Sequence, residues 1–135
     1  MSSNERALIE ALLDGDREGW KSPIAALGND RVSIVAMMAL TNACLKQFTE
    51  DPSVDSIAAY VKQLQDRQPP DAGIKTVPTE LVIRAVLGQP DVLRGISAED
   101  LVRTQIVIVN TVAQDHHLVG EPRELFITEV LDALD

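Results

Sequence analysis

Apolar side chains recur at intervals of three and four along most of the chain, which is the spacing of one face of an α-helix. The first such stretch follows a Ser2 and Glu5 pair with capping-box spacing and predicts a helix over residues 3–13. Residues 14–30 carry turn and start signals that predict only helices of one or two turns. Residues 31–48 are apolar on every side of a helix, so we expect this helix at the centre of the domain.

The rest of the chain predicts four more helices. Asp51 as N-cap and Pro52 as first helical residue open a third long helix that runs to Leu64. The segment 66–77 contains two adjacent prolines and no apolar period, so we interpret it as a hinge. Beyond it, start and stop signals predict helices over residues 78–87, 98–117 and 122–134.

The segment 105–112 is rich in β-branched residues, which are also typical of a buried strand. We favour a helix there because a capping signal, Ser97 followed by Asp100, lies directly upstream. A lone strand would also leave its backbone groups without partners in an otherwise helical chain.

These patterns predict an all-α fold, a compact bundle of about six principal helices in a single domain over residues 1–135. Placing residues 31–64 over 101–134 without a gap aligns six identical residues, among them Pro52 with Pro122. We therefore favour a duplicated three-helix unit, with repeats 3–65 and 78–134. The alternative is that two amphipathic helix series look alike by composition.

Acidic side chains outnumber basic ones by 21 to 12, giving a net charge of −9 that would repel a phosphate backbone. We therefore expect no nucleic-acid partner. The longest uncharged stretch, 32–45, falls short of the roughly 20 residues that cross a bilayer, so we expect no membrane span. The single Cys44 cannot form an internal disulfide, which predicts a cytoplasmic protein. A chain of this length needs no cofactor to fold, and we predict none.

Both histidines of the chain stand in the run Asp115-His116-His117, whose residue types are those of a metal site. Adjacent helical residues point about 100° apart and cannot both bind one ion, so we predict no metal here. Histidines near the negative end of a helix dipole explain the pair. The run Asp14–Gly19 begins like a calcium loop, but Ala25 stands where that loop needs a glutamate.

Two asparagines, Asn42 and Asn110, lie among apolar residues of the two predicted central helices. An unpaired buried amide costs on the order of 1 to 3 kcal/mol, so each must find a partner. Either neighbouring threonines, backbone or water satisfy them, or they line a polar pocket for a small ligand between the two halves. Gln114 and His117 continue the line of Asn110 along its helix, so we include them among the candidate ligand-binding residues.

No catalytic constellation is recognisable in the sequence, so we expect a non-enzymatic interaction or regulatory protein. We expect it to bind either a basic protein partner or a second copy of itself as a homodimer. The alternative that stays open is a small-ligand or metal-dependent enzyme or sensor that uses residues 115–117 and the acidic residues near Glu121. Trp20 either closes the core or anchors an interface. The candidate interface residues are Trp20, Val54, Ile57, Val61, Leu125 and Leu131.

Overall fold

The computed structural model describes residues 3–16, 18–48, 53–68, 75–88 and 96–134, and these form seven α-helices and one 3₁₀ helix. No strand occurs in those residues, which confirms the all-α fold. The helices are α1 (Ser3–Asp14), α2 (Lys21–Leu27), α3 (Asn29–Gln47), α4 (Val54–Arg67), α5 (Thr76–Val86), α6 (Ala98–Asp115) and α7 (Glu121–Ala133), with the 3₁₀ helix at Glu18–Trp20. Six of the seven are long, and α2 is one of the short helices expected in the loop after α1.

Helices α3 and α6 pack against each other at the centre, and α1 packs against both. Small side chains of α3, such as Ala39 and Ala43, are completely buried and allow close approach of the neighbouring helices. The β-branched segment 105–112 is helical and largely buried, so the strand alternative for it is wrong. Its branched side chains fill the interface between central helices instead of a sheet.

The start of α6 agrees with its predicted capping signal, whereas α4 and α2 begin at other residues than their signals predict. The Ser97 hydroxyl accepts a hydrogen bond from the Asp100 amide at 3.1 Å, as the capping box predicted. At α4 the N-cap is Ser53, which accepts from the Ser56 amide at 3.1 Å. Asp51 was predicted as this cap, and it lies with Pro52 outside the described residues.

Helix α2 begins at Lys21 and not at the start signal Ser22-Pro23, because Trp20 is its N-cap and Ser22 is already helical. The hinge is shorter than the predicted 66–77. Helix α4 continues through Arg67 and α5 begins at Thr76, while residues 69–74 lie outside the described ranges. Pro78 is tolerated in the first turn of α5 because amides there have no partner within the helix.

Helices α4 and α7 each pack mainly on the other half of the chain. Helix α4 packs on α5 and α6, and α7 packs on α1 and α3. Exchanging α1 with α5, α3 with α6 and α4 with α7 maps each of these packing pairs onto another observed pair. A duplicated three-helix unit would produce this pattern, and the duplication itself stays a prediction. Within the described ranges, no helix combines the length and apolar character that crossing a bilayer requires.

Cys44 of α3 is completely buried, and burial raises the pKa of its thiol to about 12. Because only the thiolate attacks disulfide reagents, we expect native protein at mildly alkaline pH to react with such a reagent only as fast as the core opens. The same chain in guanidinium chloride should react at once and completely. The measurement is the time course of thionitrobenzoate release, and rapid stoichiometric labelling of native protein would contradict the burial of Cys44.

Candidate functional site

An open surface pocket of about 330 Å³ lies where the end of α1 meets the last turns of α6 and the start of α7. We call it the α1–α6 pocket. Three of the four predicted ligand-binding residues, Asn110, Gln114 and His117, line it. The other lining residues are Leu13, Asp14, Ala113, Leu118, Val119 and Arg123.

The end of α1 brings backbone carbonyls to the pocket. Gly15 has a φ of 67°, and the amide of Asp16 donates to the Ala11 carbonyl at 2.9 Å, which ends the helix in a Schellman motif. The amide of Gly15 donates to the Leu12 carbonyl at 3.2 Å, and the carbonyl after it, that of Leu13, accepts a hydrogen bond from Asn110 Nδ2 at 2.7 Å. Asn110 of α6 therefore caps the C-terminus of α1.

Gly15 is required for two reasons. Its positive φ is a conformation that residues with a side chain adopt at a cost. A Cβ at this position would also lie 3.2 Å from Cγ of Asn110, which is tighter than ordinary van der Waals contact. The turn after α1 and the amide of Asn110 thus fit each other closely.

Helix α6 ends in a similar motif, but with a histidine in the glycine position. His117 has a φ of 53°, and the Leu118 amide donates to the Ala113 carbonyl at 2.9 Å. Leu118 is buried and fixes the turn, while the imidazole of His117 is exposed and has no hydrogen-bond partner among the described residues. Sequence reasoning placed His117 on the polar line of α6, and the turn carries it to the mouth of the pocket.

Arg123 of α7 joins the pocket through a two-point ion pair. Its Nη1 and Nη2 atoms donate to the two carboxylate oxygens of Asp14 at 2.9 and 3.3 Å. Arg123 could not be predicted as a pocket residue from the sequence, because its partner Asp14 lies 109 positions away and nothing in the local sequence indicates that contact.

Asn42 lies elsewhere. Its Nδ2 donates to Glu129 Oε2 of α7 at 3.2 Å, and it does not line the pocket that holds Asn110. The two asparagine side chains bind to different neighbouring helices, Asn42 to α7 and Asn110 to α1. The structure therefore does not bring them together in one cavity, so the alternative of a pocket lined by both asparagines is wrong, and Asn110 has the backbone partner that the other alternative predicted.

The run Asp115-His116-His117 divides among three surroundings. Asp115 pairs with Arg67 at 2.8 Å, and His116 Nε2 lies 3.2 Å from Gln47 Oε1. His117 faces the α1–α6 pocket. In the part of the chain that the structure describes, no three potential ligands from histidine, cysteine, aspartate and glutamate lie close enough to hold a metal ion.

A second, more apolar depression of about 770 Å³ lies between the end of α3 and the start of α7. We call it the α3–α7 groove. Its lining residues are Lys46, Gly120, Glu121, Pro122, Glu124, Leu125 and Thr128. Leu125 is 56% exposed, and two further exposed apolar residues, Leu45 and Val119, directly precede lining residues in the chain.

Charged residues tie the α7 side of this groove to α1. The Arg6 guanidinium donates to Glu124 Oε1, and this bond holds the pKa of the Glu124 carboxyl below its usual value and raises the pKa of Arg6. Both side chains are at the surface, so the pair orients the first turn of α7 more than it stabilises the fold. Glu121 has no such partner among the described residues.

The structure divides the predicted interface residues into two groups. Leu125 is more than half exposed, Val54 is 67% exposed, and Leu131 is partly buried. Ile57, Val61 and Trp20 are buried, so the expectation that they form an outer surface is corrected. The apolar face of α4 is covered by α5 and α6, and Trp20 closes the core.

Comparisons with protein family models, with curated proteins and with solved structures find no match for this chain.

Proposed function

We propose that the chain is a non-enzymatic interaction module that binds a basic, amphipathic helical segment of a partner protein in the α3–α7 groove. The observation that carries the proposal is the exposure of Leu125, 56%, inside a depression of about 770 Å³. An apolar side chain at the mouth of a concave surface is typical of a helix-in-groove site.

Charge favours a basic partner over a second copy. The chain carries a net charge of −9, so two copies repel each other while a lysine-bearing or arginine-bearing segment is attracted. Within the groove Glu124 is paired with Arg6, whereas Glu121 is open to a cationic side chain from outside. The proposed setting is the cytoplasm, which the single buried thiol of Cys44 supports.

Two synthetic amphipathic peptides test the proposal. Both carry leucine at helical spacing, with lysine on the polar face of one and glutamate on the polar face of the other. We expect the lysine peptide to bind with a Kd on the order of 10 μM, more weakly as salt is added, and the glutamate peptide not to saturate. Fluorescence anisotropy of labelled peptide is the measurement.

Leu125→Asp and Val54→Asp form a matched pair of variants. Each adds one negative charge at an exposed apolar position, but only Leu125 lines the groove. The added charge by itself attracts the lysine peptide, so a loss of affinity must come from the lost apolar contact. We expect Leu125→Asp to weaken binding about tenfold or more, and Val54→Asp to leave it unchanged or slightly tighter.

Equal affinities for both variants would show that the groove is not the binding surface. Light scattering tests the other possible occupant of the groove, a second copy of this chain. A mass that rises with protein concentration, and that Leu125→Asp returns to the monomer value, would assign the groove to a second copy of this chain and overturn the choice of a basic partner.

A further inference from the structure

We propose that the α1–α6 pocket binds a small neutral ligand that carries a carboxamide-type group, a hydrogen-bond donor beside an acceptor, and a short apolar group. This inference does not depend on the α3–α7 groove. The pocket lies on the other side of the first turn of α7 and is lined by different residues.

The polar wall of the pocket offers donors and acceptors in pairs. Asn110 uses one N–H on the Leu13 carbonyl, and its Oδ1 accepts from Gln114 Nε2 at 3.2 Å. Gln114 therefore keeps one N–H and its carbonyl oxygen for another molecule, and the two amides hold each other in place. An amide edge presents a donor and an acceptor side by side, which complements another amide edge.

The formal charges at the pocket cancel. Arg123 is bound at two points to Asp14, so neither charge is left for a ligand of opposite sign. Three carbonyls at the helix ends nearby are also occupied, because those of Ala11 and Ala113 accept backbone hydrogen bonds and that of Leu13 accepts from Asn110. An anion would meet the net charge of −9, and a cation would find both carboxylate oxygens of Asp14 already bound to Arg123, so a neutral ligand fits best.

The remaining wall is apolar and the space is small. Leu13, Ala113, Leu118 and Val119 face the cavity, and its volume of about 330 Å³ is at the lower end for small-molecule sites. A short branched alkyl group would cover this wall while the polar group meets Gln114. These features together define the ligand class.

Three probes of one shape test the charge and the polar group separately. Isobutyramide, isobutyrate and isobutylammonium share the branched alkyl group and differ in charge and in polar atoms. We expect isobutyramide to shift the side-chain amide signals of Asn110 and Gln114 in ¹⁵N-resolved NMR spectra, saturating with a Kd on the order of 1 to 10 mM. The two ions should bind at least about fivefold more weakly.

Gln114→Leu and Gln63→Leu are the matched variants, since both replace an exposed helical glutamine and only Gln114 lines the pocket. We expect Gln114→Leu to weaken isobutyramide binding about tenfold and Gln63→Leu to leave it unchanged. Equal effects of the two variants, or no saturable shift with any probe, would overturn the site. Tighter binding of either ion would overturn the ligand class. None of these results bears on peptide binding in the groove, which is measured separately.

Discussion

Replacing Phe126 with alanine is expected to lower the free energy of unfolding by about 3 to 5 kcal/mol. Phe126 is the largest side chain with no solvent exposure, and it lies on α7, which packs against α1 and α3. Its removal leaves a cavity between helices from both halves of the chain, and close-packed neighbours fill such a cavity only in part. Urea unfolding followed by far-UV circular dichroism gives the value directly.

Leu125→Ala is the control for this prediction, because Leu125 precedes Phe126 on the same helix and is 56% exposed. We expect it to change the free energy of unfolding by less than about 1 kcal/mol. The same variant should weaken the binding of the lysine peptide, so stability and binding would separate at two adjacent residues. Similar losses of stability in the two variants would contradict the orientation of α7.

The start of α7 and the two residues before it contribute to both proposed sites. Val119 and Arg123 line the α1–α6 pocket, whereas Gly120, Pro122 and Leu125 line the α3–α7 groove. The ion pairs of Arg123 with Asp14 and of Arg6 with Glu124 connect the first turn of α7 to α1 at two points. The placement of α7 on α1 therefore defines the geometry of the pocket and of the groove.

The helices could be predicted because the apolar spacing and the capping residues that specify a helix lie within or next to that helix in the sequence. The apolar period and the cap at Ser97 predict a helix through the β-branched segment 105–112, and the structure has it. Helix α4 shows the limit of the same method. The sequence shows that Ile57 and Val61 form an apolar stripe on this helix. It does not show whether the stripe faces a partner or the rest of this chain, because that depends on the packing of α5 and α6 over it.

The candidate site was predicted in part for the same reason. Asn110 and Gln114 lie one helical turn apart, so the sequence places them on one face of α6, whereas His117 reaches the pocket through the turn that follows the helix. Asn42 has an equally apolar setting in the sequence. Its partner Glu129 is 87 positions away, so the packing of α7 on α3 determines where the Asn42 side chain binds. Arg123 escaped prediction because its contact with Asp14 is likewise long-range.

Asn110→Leu is expected to lower the free energy of unfolding by about 1 to 3 kcal/mol, since it leaves the Leu13 carbonyl without its side-chain donor. Leucine also places a methyl group where the amide now lies close to Gly15. The loss should come with weaker isobutyramide binding, because Gln114 no longer has the Asn110 oxygen to hold it. Urea unfolding and the NMR titration measure the two effects.

Asn42→Leu is the matched control, as it makes the same change on the other central helix, where the amide meets only the exposed carboxylate of Glu129. We expect a change within about 0.5 kcal/mol for that variant. If the two variants cost the same, Asn110 is an ordinary helix-surface amide and its capping of α1 contributes nothing. If Asn110→Leu keeps full stability but abolishes isobutyramide binding, the amide acts on the ligand directly and not through the fit of α1 against α6.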